Sequence, residues 1–267
     1  MELSGRTALL TGATGGLGRA IAGALAGRGV TLTLSGRKAE ALEELATALP
    51  GDGHRVIPAD LAVAGAAEKL AYEAGDVDVL VANAGLPATG RLPDFAPDEL
   101  SAALCVNLES PMVLARALEP LMLVRGSGHM VFISSLSGKS ATPLSSVYNA
   151  TKFGLRGFAL GLRADLNPLG IGVSLVSPGT IRDAGMYADS GAAPIPGLGT
   201  GSPQQVADAV VNAIEKNRVE VTVAPIQQRL LAHFALTSPG VAVKIASGGA
   251  GQKAAADVAA GQADKKR

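Results

Sequence analysis

Short apolar runs alternate along the chain with stretches whose apolar residues recur every three or four positions. Thr7–Leu10 is the first such run, and an Ala- and Leu-rich helical stretch covers Gly18–Arg28. Val30–Ser35 alternates like a strand, and Lys38–Leu49 carries Leu42, Leu45 and Leu49 at helical spacing. Val56–Pro58 reads as a third strand, and Val77–Ala82 is a continuous apolar run suited to burial on both faces. Helical Glu99–Leu118, strand His129–Ser134, helix Val147–Leu166 and strands Ile171–Val176 and Val219–Ala224 continue the series. Strand and helix in strict alternation predict an α/β fold, a Rossmann-type doubly wound parallel sheet of about seven strands. In such a sheet, ligands bind beyond the carboxyl ends of the strands.

Two regions break the alternation. Gly185–Gly201 is rich in Gly, Pro and Ala without a clear period and predicts a mobile loop over the site. Ser202-Pro203-Gln204-Gln205 then reads as a helix start, with a serine cap and a glutamine placed to complete a capping box. Ile226, Leu230, Leu231 and Phe234 predict a short amphipathic helix over Ile226–Leu236, expected to pack on the core, join a subunit interface or touch a membrane surface. The domain is expected to span residues 1–236. Residues 237–267 form an extension whose Ala-, Gly- and Lys-rich part, from about Ser247, predicts disorder.

Composition narrows the function classes. Lys plus Arg and Asp plus Glu both number 23, so no electrostatic excess points to nucleic acid. Nothing in the pattern resembles a secretory signal or an apolar stretch long enough to span a membrane. Cys105 is the only cysteine, so no internal disulfide can form, which fits a cytoplasmic location, and the residue is expected to be a small buried hydrophobe. No metal-ligand cluster is read from the sequence.

Thr11-Gly12-Ala13-Thr14-Gly15-Gly16-Leu17-Gly18 lies between the first strand and the first helix. Glycines there let the backbone turn sharply and approach a pyrophosphate, whose charge is favoured by the helix N-terminus. The second strand ends in Ser35-Gly36-Arg37-Lys38, with no carboxylate where an NAD-binding chain places one. Arg37 therefore favours NADP(H) over NAD(H); the competing reading is a solvated helix start. Tyr148 and Lys152 are four residues apart and share a helix face. A nearby ammonium favours a phenolate, so the pair can move a proton to or from an oxygen.

With these motifs in hand, the chain resembles a classical short-chain dehydrogenase/reductase over roughly Leu3 to Ala224. The landmarks occur in the family's order: the TGATGGLG turn, Asp60-Leu61, Asn83-Ala84-Gly85, Asn107, Ser134-Ser135, Tyr148 with Lys152, and Ser177-Pro178-Gly179. The resemblance implies that Tyr148 is the catalytic acid/base and that Lys152 holds the nicotinamide ribose and depresses the Tyr148 pKa. Ser135, with Ser134 as the second candidate, would hydrogen-bond the substrate oxygen. Asn107 would anchor a water in the proton relay, or else bend its helix. Cofactor contacts are implied for Gly12, Thr14, Gly15, Gly16, Leu17, Gly18, Arg37, Asp60, Leu61, Asn83, Ala84, Gly85, Tyr148, Lys152, Pro178, Gly179 and Ile181. A helix cap is the rival role for Asp60, and a purely structural turn the rival for Asn83.

Asp183 stands where the family often has a threonine that contacts the carboxamide, and it can pair with Arg182 instead. The resemblance implies an NADP(H)-dependent reductase or dehydrogenase, assembled as a homodimer or homotetramer through the helices holding Asn107 and Tyr148. A non-catalytic NADP(H)-binding scaffold is the rival from another class, and an epimerase or dehydratase a third reading. Leu86, Leu92, Phe95, Met186, Tyr187, Ile195 and Leu198 are expected to wall a pocket for a mainly apolar carbonyl or alcohol substrate.

Overall fold

The computed structural model describes residues 1–195 and 197–263. Chain order is β1 (Thr7–Thr11), α1 (Gly16–Ala26), β2 (Thr31–Gly36), α2 (Ala39–Ala48), β3 (Arg55–Pro58), α3 (Ala66–Ala74) and β4 (Val79–Ala82). There follow α4 (Pro97–Leu104), a π-helical turn at Cys105–Glu109, α5 (Ser110–Arg125), β5 (Gly128–Ile133), α6 (Ser146–Leu166) and β6 (Ile171–Pro178). The chain continues through α7 (Met186–Asp189), α8 (Pro203–Glu215), β7 (Glu220–Val223), α9 (Ile226–Thr237), α10 (Pro239–Ala246) and α11 (Gly249–Gly261).

The strands form one parallel sheet in the order β3-β2-β1-β4-β5-β6-β7. The order reverses between β1 and β4, which opens a crevice at the carboxyl edge. Alternation along each strand sends side chains to two separate cores. Ala8, Leu10, Leu32, Leu34, Val79 and Val81 meet α1, α2 and α8 on one face. Leu9, Leu80, Phe132 and Leu175 meet α3, α5 and α6 on the other. All four residues of β4 are buried, as its unbroken apolar run predicted, and all six of β5 and all eight of β6 are buried too.

The capping box at Ser202 is present: its hydroxyl accepts from Gln205 N–H at 3.3 Å, and its own N–H donates to Gln205 Oε1 at 2.9 Å. Five features differ from the sequence expectation. Helix α3 stands where no element was expected, because its inward face is mostly alanine: Ala67, Ala71 and Ala74 beside Leu70. The expected helix over Glu99–Leu118 is interrupted at Cys105–Glu109. Pro111 has no N–H to give the Asn107 carbonyl four residues earlier, so the regular ladder fails there.

The stretch expected as a loop contains α7, and Tyr187 Oη donates to the Ala193 carbonyl within it; Pro196 lies outside the described residues. The tail expected to be disordered from about residue 247 instead forms α11, in keeping with the helix propensity of alanine. Residues 264–267 of that expectation lie outside the described residues. Cys105 is half-buried rather than enclosed, and its thiol donates to the Leu61 carbonyl at 3.2 Å.

Candidate active site

The glycine turn sits at the mouth of the β1–β4 crevice. Gly12 has φ +63°, and a Cβ there would come within 2.8 Å of Ala84 Cα. A Cβ on Gly18 would overlap the Gly12 carbonyl oxygen, and one on Gly16 would overlap the Ala184 side chain. Only glycine therefore permits this closeness of turn, helix start and neighbouring loop. Asn83 locks the turn from below: its amide donates to the carbonyls of Thr11 and Gly12 at 3.0 and 3.1 Å. Thr11 Oγ1 accepts from the N–H groups of Asn83 and Ala84, each at 3.0 Å. The turn leaves α1 without a side-chain cap at Gly15, the condition in which a helix N-terminus can take a phosphate.

The catalytic candidates converge from three elements. Ser135 follows β5 in extended conformation, and its hydroxyl accepts from Ser137 N–H at 3.1 Å. Ser134 instead turns to the backbone of α6, donating to the Lys152 carbonyl at 3.4 Å. That contrast favours Ser135 as the group facing the site. Tyr148 and Lys152 lie one turn apart on α6, with the ammonium 5.7 Å from the ring centroid. Lys152 is buried and its Nζ donates to the Ile133 carbonyl at 3.0 Å.

Burial pushes the Tyr148 phenol up to about 12, with the Ser135 hydrogen bond pulling the other way. Burial also pushes Lys152 down to about 8. The expected depression of the Tyr148 pKa by Lys152 is therefore not what this geometry gives. Lys152 is buried and Tyr148 partly buried, so desolvation favours the neutral form of each.

Asn107 is fully buried on the π-helical turn. Its Oδ1 accepts from Leu86 N–H at 2.7 Å and its Nδ2 donates to the Leu86 carbonyl at 2.9 Å. A second, longer contact at 3.5 Å reaches Thr151 Oγ1 on α6. The side chain thus holds the loop after β4 against α6. A π turn re-aims the residues it carries and is frequent at functional sites.

The remaining expected cofactor contacts divide. Arg37 and Lys38 are exposed where β2 ends, and Thr14 Oγ1 lies close to Gly36. Asp60 is exposed and accepts from Ala62 N–H at 3.0 Å in the turn after β3, and it caps no helix, since α3 begins only at Ala66 after Gly65. Leu61 is buried, its carbonyl engaged by Ser110 and Cys105. Pro178 ends β6, Gly179 N–H donates to the Val223 carbonyl at 3.0 Å, and Ile181 is buried in a bridge to Gly201. Asp183 pairs with Arg182 at 3.1 Å. Leu17 borders Gly185, while Gly85 abuts Met186 and Asn107. Residues 184–186 thereby form the outer wall of the groove. These residues fit a dinucleotide: a glycine cradle at a helix start, cations and no carboxylate at the β2 end, and a polar cluster at the other end.

Three positions escaped the sequence reading. Gln228 on α9 accepts from Thr180 N–H at 3.1 Å and donates to the carbonyls of Gly199 and Leu198 at 2.8 and 3.3 Å. Gln262 joins Thr89 Oγ1 and the Met186 carbonyl, each at 2.7 Å. Glu220 gathers Lys139, Arg156 and Ser177. Their partners are distant in sequence, so spacing carries no signal for them. Among the described residues no group of His, Cys, Asp and Glu is placed to hold a metal, and no helix is long and apolar enough to cross a membrane.

Residues 6–194 match the short chain dehydrogenase family. Ketoacyl reductase HetN of Nostoc sp. strain PCC 7120 is 36% identical over 227 residues, covering 83% of this chain and 79% of that protein. Dehydrogenase/reductase SDR family member 7B of Bos taurus is 35% identical over 255 residues, covering 87% and 78%. A metagenomic short-chain oxidoreductase solved in complex with NADP aligns at TM-score 0.69 and 32% identity, over 84% of this chain and 99% of that one.

Proposed function

The chain belongs to the short-chain dehydrogenase family and is an oxidoreductase, and on that premise we propose that it reduces a mainly apolar ketone, or oxidises the matching secondary alcohol, with NADP(H). The observation that carries this reading is the meeting of Ser135, Tyr148 and Lys152, braced through Asn107, beside the glycine turn. A bound nicotinamide would supply or accept the hydride. Tyr148, protonated at neutral pH by its raised pKa, keeps the proton that a carbonyl oxygen needs as it becomes an alcohol. Ser135 orients that oxygen. Lys152 holds the ribose and lies within range to replace charge on the phenol. Gly12 to Gly18 would hold the pyrophosphate, Asp60 and Leu61 would border adenine, and Asn83 to Gly85 with Pro178, Gly179 and Ile181 would flank the nicotinamide.

NADP(H) is favoured by Arg37 and Lys38 at the end of β2, and the NADP complex of the metagenomic relative agrees. An apolar substrate is favoured by the buried Leu86 and Phe95 and the half-buried Met186, Ile195 and Leu198. The printed name of the Nostoc relative as a ketoacyl reductase is consistent with an acyl chain. Exposed Leu104, Leu121, Val124 and Phe153 on α4, α5 and α6 support assembly as a homodimer or homotetramer.

Loss of nicotinamide absorbance with ketones of increasing chain length tests the proposal, with NADPH and NADH compared in parallel. NADPH should be preferred in kcat/KM, and Tyr148→Phe should lower turnover by about a thousandfold while NADPH still binds. Wild-type turnover in that variant would remove the assigned mechanism. A preference for NADH, or for small charged substrates, would remove the cofactor or substrate assignment separately.

A further inference from the structure

Helix α9 has its apolar side outward. Gln228, Ala232 and Ala235 face the body of the molecule, whereas Ile226, Leu230 and Phe234, spaced four apart on the opposite side, are 57%, 63% and 38% exposed. A helix whose outer face met only water would show the reverse. Helix α10 packs on α9 and leaves Val241, Val243 and Ile245 exposed as well. Contiguous apolar surface of this kind marks an interaction site.

The charged side chains carried by α9 and α10 have one sign. No aspartate or glutamate occurs between Glu220 and Asp257. Arg229 flanks the Ile226–Leu230–Phe234 stripe, and Lys244 lies on α10; both are exposed. An apolar stripe bordered by cations and free of carboxylates complements an anionic lipid surface. A second copy fits poorly: a two-fold contact through this patch would set the cations against their own copies, with no carboxylate from either helix between them.

From this arrangement we infer that α9 and α10 dock the molecule peripherally on an anionic bilayer. Gln228 on the inner side of α9 holds Thr180 and the carbonyls of Leu198 and Gly199, so the docking helix is bonded to loops at the carboxyl edge of the sheet. Docking would bring the mouth of the site to the lipid boundary, where apolar ketones partition. That last link rests on the function proposed above; the docking itself does not.

The test is flotation of the full chain with vesicles of phosphatidylcholine alone and of phosphatidylcholine mixed equally with phosphatidylglycerol. Binding is expected to the mixed vesicles and to weaken with salt. Leu230→Gln with Phe234→Gln should lower the bound fraction about tenfold or more, and Arg229→Gln with Lys244→Gln should abolish the preference for anionic lipid. These side chains are exposed, so unchanged circular dichroism checks the fold of each variant. The inference is overturned if wild type does not float, if the variants float equally well, or if sedimentation shows that Leu230→Gln with Phe234→Gln alters only the oligomeric state. Turnover on a water-soluble ketone, measured alongside, tells failure of docking from failure of the functional reading.

Discussion

Tyr148 and Lys152 illustrate how burial competes with charge. The ammonium stands over the ring, yet burial raises the phenol and lowers the amine. For Lys152 the folded pKa of about 8 lies below its ordinary 10.5, so folding disfavours its charged form. That cost is absent above pH 10.5, grows as pH falls, and is complete below about 8. Tyr148 runs the other way: its folded pKa of about 12 exceeds its ordinary 10, so stability is lost as pH rises above 10. Lysine Nζ resonances followed by NMR without added nucleotide should show one amine titrating near 8, absent in Lys152→Met. A midpoint near that of surface lysines would contradict a dry amine. Lys152→Met should also raise the melting temperature at neutral pH while removing activity, with the gain shrinking as pH rises from about 8 to 10.5.

Between elements, Glu220 is the chief polar tie. It joins β7 to α6 through Arg156, to the turn after β5 through Lys139, and to β6 through Ser177. Burial raises its carboxyl pKa, but Arg156 and Lys139 outweigh burial and hold it below the ordinary value. Its stabilisation is therefore present above the unfolded pKa and fades as pH falls through the folded one. Glu220→Gln should cost about 2 kcal/mol at pH 7 by leaving two cations half-buried without their counter-charge. Urea unfolding measures the loss, and the difference from wild type should narrow in acid.

Strands were legible in the sequence because sandwiched strands must be largely apolar, as Val79–Ala82 is throughout and Ile171–Val176 is but for Ser174. The motif residues were legible because each serves a local turn or helix face. Helix α3 was not, since alanines give little contrast between faces. The interruption after α4 was signalled only by Pro111 within an otherwise helical pattern. The inverted face of α9 was hidden because spacing reveals that a helix has an apolar side but not where that side points.

Across the whole molecule, the last helix returns to the site. Gln262 bridges Thr89, after β4, and Met186, on α7, binding the chain's far end to both walls of the expected substrate pocket. Gln262→Ala should raise KM for bulky ketones several-fold with NADPH affinity unchanged, because its partners lie on the substrate side. Steady-state kinetics against a small and a bulky ketone checks this, and an equal change for both would show that the bridge merely stabilises the fold. Tolerance to insertions and deletions follows from the same map. Exposed turns such as Asp52–Gly53 can lengthen at little cost. The turn at Cys105–Glu109 cannot shorten: losing a single residue there would rotate all that follows by about 100°, or pull Asn107 away from Leu86. In that stretch the reading frame of the helix matters more than the identity of most of its side chains, and a one-codon deletion should be harsher than nearly any missense change beside it.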